Sequence, residues 1–131
     1  MSSEREEISE LMLDFERRGG LLPAIVQDAS SKEVLMVGYV NQPALDETLS
    51  SGYATFWSTS RNELWTKGKT SGDLLKVKEV LTDCDQDAII YIVERVGRGT
   101  CHTVGKDGKH RRSCFYRRLK EKKLEFIEGS E

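Results

Sequence analysis

The sequence lacks any long apolar stretch and contains few cysteines. Its longest β-branched apolar run, residues 88–93, is far shorter than the roughly 20 residues that a membrane helix needs, so no membrane association is expected. Three cysteines among 131 residues are an odd number, which fits a disulfide framework poorly. We therefore expect free thiols in the reducing cytoplasm, either as inert core residues or as metal ligands.

The chain also lacks a strong charge of either sign. Twenty basic and 22 acidic residues give a formal net charge of −2. This balance argues against a protein that binds nucleic acid by neutralising its phosphates. The first ten residues are polar and acidic, which predicts neither a signal peptide nor a transit peptide. A length of 131 residues predicts one domain spanning residues 1–131.

Local patterns predict two helices. Apolar residues at positions 8, 11, 12 and 15 have the spacing of an amphipathic helix over residues 4–18, which two glycines end. Asn41 followed by Pro43 predicts the start of a short helix that runs to about Leu49 and ends before Gly52.

The remaining patterns are typical of strands. Residues 21–27 and 34–40 flank a polar pentapeptide and predict a hairpin. Further strands are predicted over residues 54–58, 88–96 and 114–118, whereas residues 74–81 suit either a strand or a helix. We therefore predict an α+β fold, predominantly antiparallel β with an N-terminal helix and one short internal helix.

The most informative stretch is Asp83-Cys84-Asp85-Gln86-Asp87. In an extended backbone the three aspartates would face one way and Cys84 the other. Three carboxylates suit Mg²⁺, and a thiol suits Zn²⁺. A polar turn between two strands is the simpler interpretation, but crowding three anions beside a buried strand is costly unless a cation neutralises them.

The same stretch partly fits a calcium-binding EF-hand loop. Asp83, Asp85, Asp87 and Glu94 match positions one, three, five and twelve of that motif. Ala88 stands where the motif needs glycine, and the residues that follow are strand-like. A calcium-binding protein is therefore a weaker alternative.

A second stretch contains the other two cysteines. Cys101 precedes His102, and twelve residues lie between Cys101 and Cys114. Asp107-Gly108 between them favours a hairpin turn that would bring the two thiols together. With Cys84 they would make three thiolates, one short of a closed structural zinc site. Three unrelated buried cysteines remain an alternative on spacing alone.

The third stretch is Trp65-Thr66-Lys67-Gly68-Lys69-Thr70-Ser71-Gly72. It lacks the earlier glycine of a P-loop, because Glu63 occupies that position. What remains is a turn with glycines, lysines and hydroxyls that is able to hold a phosphate. A solvated loop is the alternative.

Taken in order, these stretches closely resemble the phosphoribosyl-AMP cyclohydrolase family. The similarity covers about residues 22–118. It rests on Trp65-Thr66-Lys67-Gly68 with Ser71-Gly72, Asp83-Cys84-Asp85-Gln86-Asp87, Cys101-His102, and Ser113-Cys114-Phe115-Tyr116. The resemblance implies a stand-alone form, since the chain is too short to hold the pyrophosphohydrolase that is fused to some relatives.

The resemblance also implies a reaction and a metal arrangement. The family hydrolyses the N1–C6 bond of the adenine ring of N1-(5-phosphoribosyl)-AMP, which gives a ring-opened imidazole-carboxamide in histidine biosynthesis. It implies an intertwined homodimer with zinc sites between the subunits. Each site would take Cys84 from one chain and Cys101 and Cys114 from the other. Asp83, Asp85 and Asp87 match the family's magnesium ligands.

The chemistry suggests roles for further residues. Attack of water on C6 of a purine suits an activating zinc ion, as in zinc deaminases. His102 is the candidate general base or proton shuttle. Lys67 and Ser71 would bind the phosphoribosyl and phosphate groups, and Trp65 would stack on the base. A non-catalytic zinc-binding interaction module is the alternative function.

One feature departs from the family pattern. The connection between Cys101 and Cys114 is longer than the family leads us to expect, and the additional residues lie around positions 104–110. We predict an extended hairpin that leaves the two cysteines close together. His110 lies in this insertion and receives no role.

Overall fold

The computed structural model of the protein describes residues 8–16 and 19–131. The elements in this part of the chain, in order, are β1 (Leu22–Asp28), β2 (Val34–Val40), α1 (Gln42–Ser51), β3 (Thr55–Ser58), β4 (Glu63–Thr66), β5 (Leu75–Thr82), β6 (Ile89–Arg95), β7 (Arg117–Lys120) and β8 (Lys123–Phe126). The main sheet has the order β2-β1-β6-β5, while β3-β4 and β7-β8 form two-stranded sheets. Among the described residues, no helix is long and apolar enough to cross a membrane.

The main sheet is mixed rather than purely antiparallel. Strand β1 pairs antiparallel with β2 but parallel with β6, and β5 closes the sheet antiparallel to β6. The two small sheets are antiparallel. The predicted α+β class is therefore confirmed, with antiparallel pairings in the majority. Residues 74–81, which suited either element, lie mostly in β5.

The core lies on one face of the main sheet. Leu22, Ala24 and Val26 alternate along β1 with zero exposure, as expected for a strand with one buried face. The ring of Tyr91 from β6 meets the ring of Phe56 from β3 edge-on, with centroids 5.8 Å apart. The Tyr91 hydroxyl donates to Thr48 Oγ1 over 3.0 Å. Burial raises the pKa of Tyr91 to about 12, so the phenol stays neutral as a donor.

The internal helix forms where local signals predicted it. The Asn41 side chain accepts a hydrogen bond from the Ala44 amide over 3.0 Å, which satisfies one free donor of the first turn. Gly52 ends the helix in the left-handed region, at φ 84°, and its amide donates to the Thr48 carbonyl.

The predicted N-terminal helix is wrong over residues 8–16, which are irregular; the rest of it, residues 4–7 and 17–18, lies outside the described residues. Leu13 and Phe15 pack against the core, a spacing of two that belongs to extended chain. The amides of Met12 and Asp14 bond to Gln86, more than 70 positions away. In this segment, long-range hydrogen bonds to Gln86 thus take the place of the i to i−4 bonds that a helix would make.

The strand predicted over residues 114–118 begins later. Strand β7 starts at Arg117, because residues 113 and 114 are bonded to β2 instead. Strand β8, which follows a turn at Glu121 and Lys122, was not predicted. Both turn residues have positive φ, at 50° and 64°, as two-residue hairpin turns require.

Candidate metal centre and active site

The turn between β5 and β6 gathers three carboxylates. One ligand oxygen from each of Asp83, Asp85 and Asp87 lies within 4.8 Å of the others. Asp83 is exposed, Asp85 is half-buried and Asp87 is only 4% exposed. Oxygen donors at this spacing suit a hard cation such as Mg²⁺. We call residues 83–87 the acidic loop.

The carboxylates converge through a turn and not through an extended strand, so the predicted two-faced strand is wrong. Strand β5 ends at Thr82. The Asp83 carboxylate then accepts hydrogen bonds from the amides of Asp87, over 2.9 Å, and Ala88, over 3.1 Å. A side chain that caps its own turn in this way is typical of aspartate.

The acidic loop does not have the fourth carboxylate of an EF-hand. Glu94 lies near the far end of β6, roughly 20 Å along the strand from Asp87 at 3.3 Å per residue. Its side chain pairs with Lys78, with the two charged atoms 3.6 Å apart. The calcium-loop alternative therefore fails on geometry.

Cys114 is held by an irregularity in β2. Val26 pairs with Met36 and Gln27 with Val34, so Leu35 is an extra residue in a bulge. The Cys114 amide donates to the Leu35 carbonyl over 2.7 Å.

Ser113 reinforces this attachment. Its hydroxyl donates to the Val34 carbonyl over 2.7 Å and accepts from the Phe115 amide over 2.9 Å. Both neighbours of Cys114 along the chain are thus fixed relative to β2.

Cys101 lies on the facing arm of a hairpin. The Cys101 amide donates to the Arg111 carbonyl over 3.0 Å, and Val104 forms a bridge with His110. Gly108 has φ 79° in the turn between the arms. The long connection therefore forms an extended hairpin, as predicted, with Asp107-Gly108 in its turn.

The thiols of Cys101 and Cys114 lie within hydrogen-bonding reach of each other. Burial acts to raise the pKa of Cys101, but the hydroxyl and amide of Thr103, the Cys114 thiol and the charge of Lys67 bring it below its ordinary value. Cys114 is exposed as a residue, but partial desolvation of its thiol and the neighbouring Cys101 raise its pKa to about 11. Cys101 is therefore the first of the pair to ionise, and a cation would favour both thiolates.

Cys84 does not join this pair within one chain. It is exposed in the acidic loop. Among residues 8–16 and 19–131, the three aspartates of the acidic loop are the one set of three or more potential metal ligands whose donor atoms lie close together. One chain thus presents two thiols together and the third on a separate, accessible loop.

The residues proposed for substrate binding lie around the turn after β4. The ring of Trp65 packs against Phe56, with centroids 5.4 Å apart, and Lys67 Nζ lies 5.8 Å from the Trp65 ring centroid. The positive charge of Lys67 also acts to lower the pKa of both paired thiols, Cys101 and Cys114. Ser71 is exposed in the same turn, where its hydroxyl accepts from the Asp73 amide over 3.3 Å. Lys67 therefore links this turn to the thiol pair.

The two histidines differ in their surroundings. His102 follows Cys101 and is exposed to solvent. The His110 ring Nδ1 lies 3.1 Å from the Cys101 carbonyl, within the hairpin. His102 is therefore accessible to a substrate, whereas His110 helps to hold the backbone of Cys101.

Sequence reasoning missed two residues that shape these groups. The Thr103 hydroxyl lies 3.0 Å from the Cys101 sulfur, and its amide donates to the same sulfur over 3.4 Å. Gln86, in the middle of the acidic loop, is 4% exposed and has φ 57°. A threonine two residues after Cys101 was a local signal for the first. An amide flanked by aspartates gave no hint of its bonding partners.

Comparison with known proteins finds one family. The family model described as phosphoribosyl-AMP cyclohydrolase matches residues 36–116. The chain is 50% identical over 115 residues to a phosphoribosyl-AMP cyclohydrolase of Desulfatibacillum aliphaticivorans, with 88% of this chain and 87% of that protein covered. A protein of the same name from Methanosarcina mazei is 52% identical over 111 residues, with 82% and 87% covered.

A longer relative carries a related name. The histidine biosynthesis bifunctional protein HisIE of Buchnera aphidicola is 46% identical over 127 residues, which cover 97% of this chain and 56% of that protein. Together the matches place the chain among the hydrolases. Within that class, it belongs to the phosphoribosyl-AMP cyclohydrolase family.

Two glycines in the turn after β4 provide a test of its packing. Gly68 and Gly72 have φ of 82° and 88°, so alanine is strained at both, at a cost of about 1–2 kcal/mol. A Cβ at Gly68 would lie 2.1 Å from the backbone of Asp73, whereas a Cβ at Gly72 meets nothing within 4 Å. Gly68→Ala should therefore lower the free energy of unfolding clearly more than Gly72→Ala, measured by urea denaturation. Equal losses would contradict the close backbone contact.

Proposed function

We propose that the protein hydrolyses the N1–C6 bond of the adenine ring of N1-(5-phosphoribosyl)-AMP, with Zn²⁺ and Mg²⁺ as cofactors. The product is the ring-opened imidazole-carboxamide intermediate of histidine biosynthesis. Family membership supports the reaction. The structural observation that carries the proposal is the pair of thiols, Cys101 and Cys114, beside Lys67.

The donor chemistry fits the two metals. Two adjacent thiols, one with a lowered pKa, suit Zn²⁺, with Cys84 as the third ligand. The oxygens of Asp83, Asp85 and Asp87 suit Mg²⁺. Held by these thiols, Zn²⁺ would supply Lewis-acid activation of the attacking water.

The protein's own residues would then bind substrate and move protons. Water adds to C6, the N1–C6 bond breaks, C6 becomes the carboxamide carbon and N1 takes up a proton. His102 is exposed beside Cys101 and would accept the proton of the attacking water and return one to N1. Trp65 would stack on the base, while Lys67 and Ser71 would bind the phosphate-bearing groups. The three free thiols fit a cytoplasmic location.

Zinc removal tests the function directly. Ring opening of synthetic N1-(5-phosphoribosyl)-AMP, followed by ultraviolet absorbance, should proceed with the zinc-loaded protein and added Mg²⁺. Chelation of zinc should abolish it while the circular dichroism spectrum stays native, because the hydrophobic core cluster includes none of the three cysteines. No ring opening by zinc-loaded protein would exclude the activity. Global unfolding on chelation would indicate a structural zinc site instead.

The role of His102 has its own test. His102→Ala should lower kcat by about 100-fold or more, the scale of a lost acid–base group, with little change in KM. His110→Ala is the comparison variant: it removes a ring that contacts the Cys101 carbonyl and no exposed acid–base group, so it should lower kcat much less. A near-normal kcat for His102→Ala would remove His102 from the mechanism.

We further infer a homodimer in which each zinc site is shared. Cys84 lies apart from the other two thiols and is exposed. The surface also exposes large apolar side chains on β1 and β2 and near the C-terminus: Ile25, Val37, Tyr39, Phe115, Leu119 and Leu124. Apolar surface of this kind often marks an interface between proteins. Both observations support assembly with a second copy.

Subunit mixing tests the shared site. Cys84→Ser and Cys101→Ser should each be inactive as homodimers, because each site loses a ligand. In a mixed dimer, one site would combine Cys84 from the Cys101→Ser chain with Cys101 and Cys114 from the other chain. Random re-association makes about half of the dimers mixed, so about a quarter of wild-type activity should return.

A control mixture of Cys101→Ser with Cys114→Ser should stay inactive, because both ligands are expected from the same chain. Subunit exchange is confirmed by native mass spectrometry. No recovered activity in the first mixture, despite exchange, would contradict the shared site.

A further inference from the structure

Gln86 connects the acidic loop to the N-terminal segment. The Met12 amide donates to Gln86 Oε1 over 2.7 Å, and Gln86 Nε2 donates to the Glu10 carbonyl over 3.1 Å. The Asp14 amide donates to the Gln86 carbonyl over 2.7 Å. Three hydrogen bonds therefore join residues 10–14 to one residue of the loop. We call residues 10–14 the clasp.

The clasp meets the loop at its most constrained residue. Gln86 has φ 57°, in the left-handed region that residues with a Cβ adopt only under strain. It is also 4% exposed, and the clasp supplies hydrogen-bond partners to its side-chain amide at a place that water hardly reaches. Gln86 lies between Asp85 and Asp87, so its backbone conformation sets the relative directions of these two side chains. Whatever fixes Gln86 therefore fixes the spacing of two of the three carboxylates.

The clasp itself is anchored by packing. Leu13, within it, and Phe15, just beyond it, pack against the hydrophobic core. The clasp lies outside the family match at residues 36–116. Its attachment to the loop is therefore an arrangement that the family match does not cover.

We propose that the clasp acts through Gln86 as a positioning element for the acidic loop, so that docking of the clasp and binding of Mg²⁺ favour each other. This inference rests on the magnesium assignment made above. Gln86 is a positioning residue, since its polar groups bond to the clasp. The coupling must be reciprocal: if the docked clasp strengthens Mg²⁺ binding, Mg²⁺ must stabilise the docked clasp by the same factor.

Two variants at one position separate the hydrogen bond from the side chain. Met12→Pro removes the amide that donates to Gln86 Oε1, whereas Met12→Ala keeps it. Calorimetry with Mg²⁺ on the full-length protein should give a dissociation constant about three- to tenfold higher for Met12→Pro than for Met12→Ala, the effect of one lost hydrogen bond. At saturating Mg²⁺ both variants should keep the same kcat.

Hydrogen exchange gives a readout that does not depend on activity. In the wild-type protein, added Mg²⁺ should slow exchange of the Met12 and Asp14 amides, because both donate to Gln86. Gln86→Gly removes the side-chain bonds but accepts the positive φ, so it should also weaken Mg²⁺ binding and abolish the protection of Met12. It serves as the second test if Met12→Pro fails to fold.

Asp83→Asn distinguishes the two ways in which the proposal can fail. If Asp83→Asn weakens Mg²⁺ binding while the Met12 and Gln86 variants bind Mg²⁺ like wild type, the clasp is overturned and the magnesium assignment stands. If Asp83→Asn leaves Mg²⁺ affinity unchanged, the magnesium assignment fails, and the clasp proposal fails with it.

Discussion

The hydrogen bond from the Cys114 amide to the Leu35 carbonyl, 2.7 Å long, is the contact on which the arrangement of the thiols depends. It exists because Leu35 is the extra residue of a bulge in β2. Bulges re-aim backbone groups beside functional sites. Together with the bond from Ser113 to the Val34 carbonyl, it attaches the part of the chain that follows β6 to the edge of the main sheet. The hairpin that carries Cys101 then pairs back from this fixed point.

Much of the fold was predictable where the signals are local. Strand β2 follows from its run of apolar, partly β-branched residues, and helix α1 from the Asn41 cap and Gly52; these signals all act within a few residues. The convergence of the three aspartates was also foreseeable, but its reason was wrong, because Asp83 caps a turn. The long insertion folded as a hairpin since Asp107-Gly108 is a strong turn signal.

The remaining features had no local signature. Residues 8–16 have helical spacing, yet the amides of Met12 and Asp14 bond to Gln86, more than 70 residues away, and no periodicity can report such a partner. The parallel pairing of β1 with β6 arises only when distant strands meet. The bulge at Leu35 depends on the exact register of β1 with β2, which the sequence of β2 does not display. The pKa difference between Cys101 and Cys114 likewise depends on Lys67 and Thr103, which reach the sulfurs only in the folded chain.

The position of Cys84 inside the acidic loop constrains the proposed dimer. Cys84 lies between Asp83 and Asp85, so a surface that contacts the Cys84 sulfur must also lie close to the carboxylates of the acidic loop. If Cys84 completes a zinc site with the Cys101 and Cys114 of a second copy, the acidic loop of the first copy must lie beside that pair. The carboxylates and Cys84 of one active site would then belong to one chain, and Cys101 and Cys114 to the other. His102 is adjacent to Cys101 in sequence, and the charge of Lys67 acts on Cys101 and Cys114. Gln86, in contrast, lies in the acidic loop and bonds to the clasp. Each subunit would therefore contribute one half of the catalytic environment.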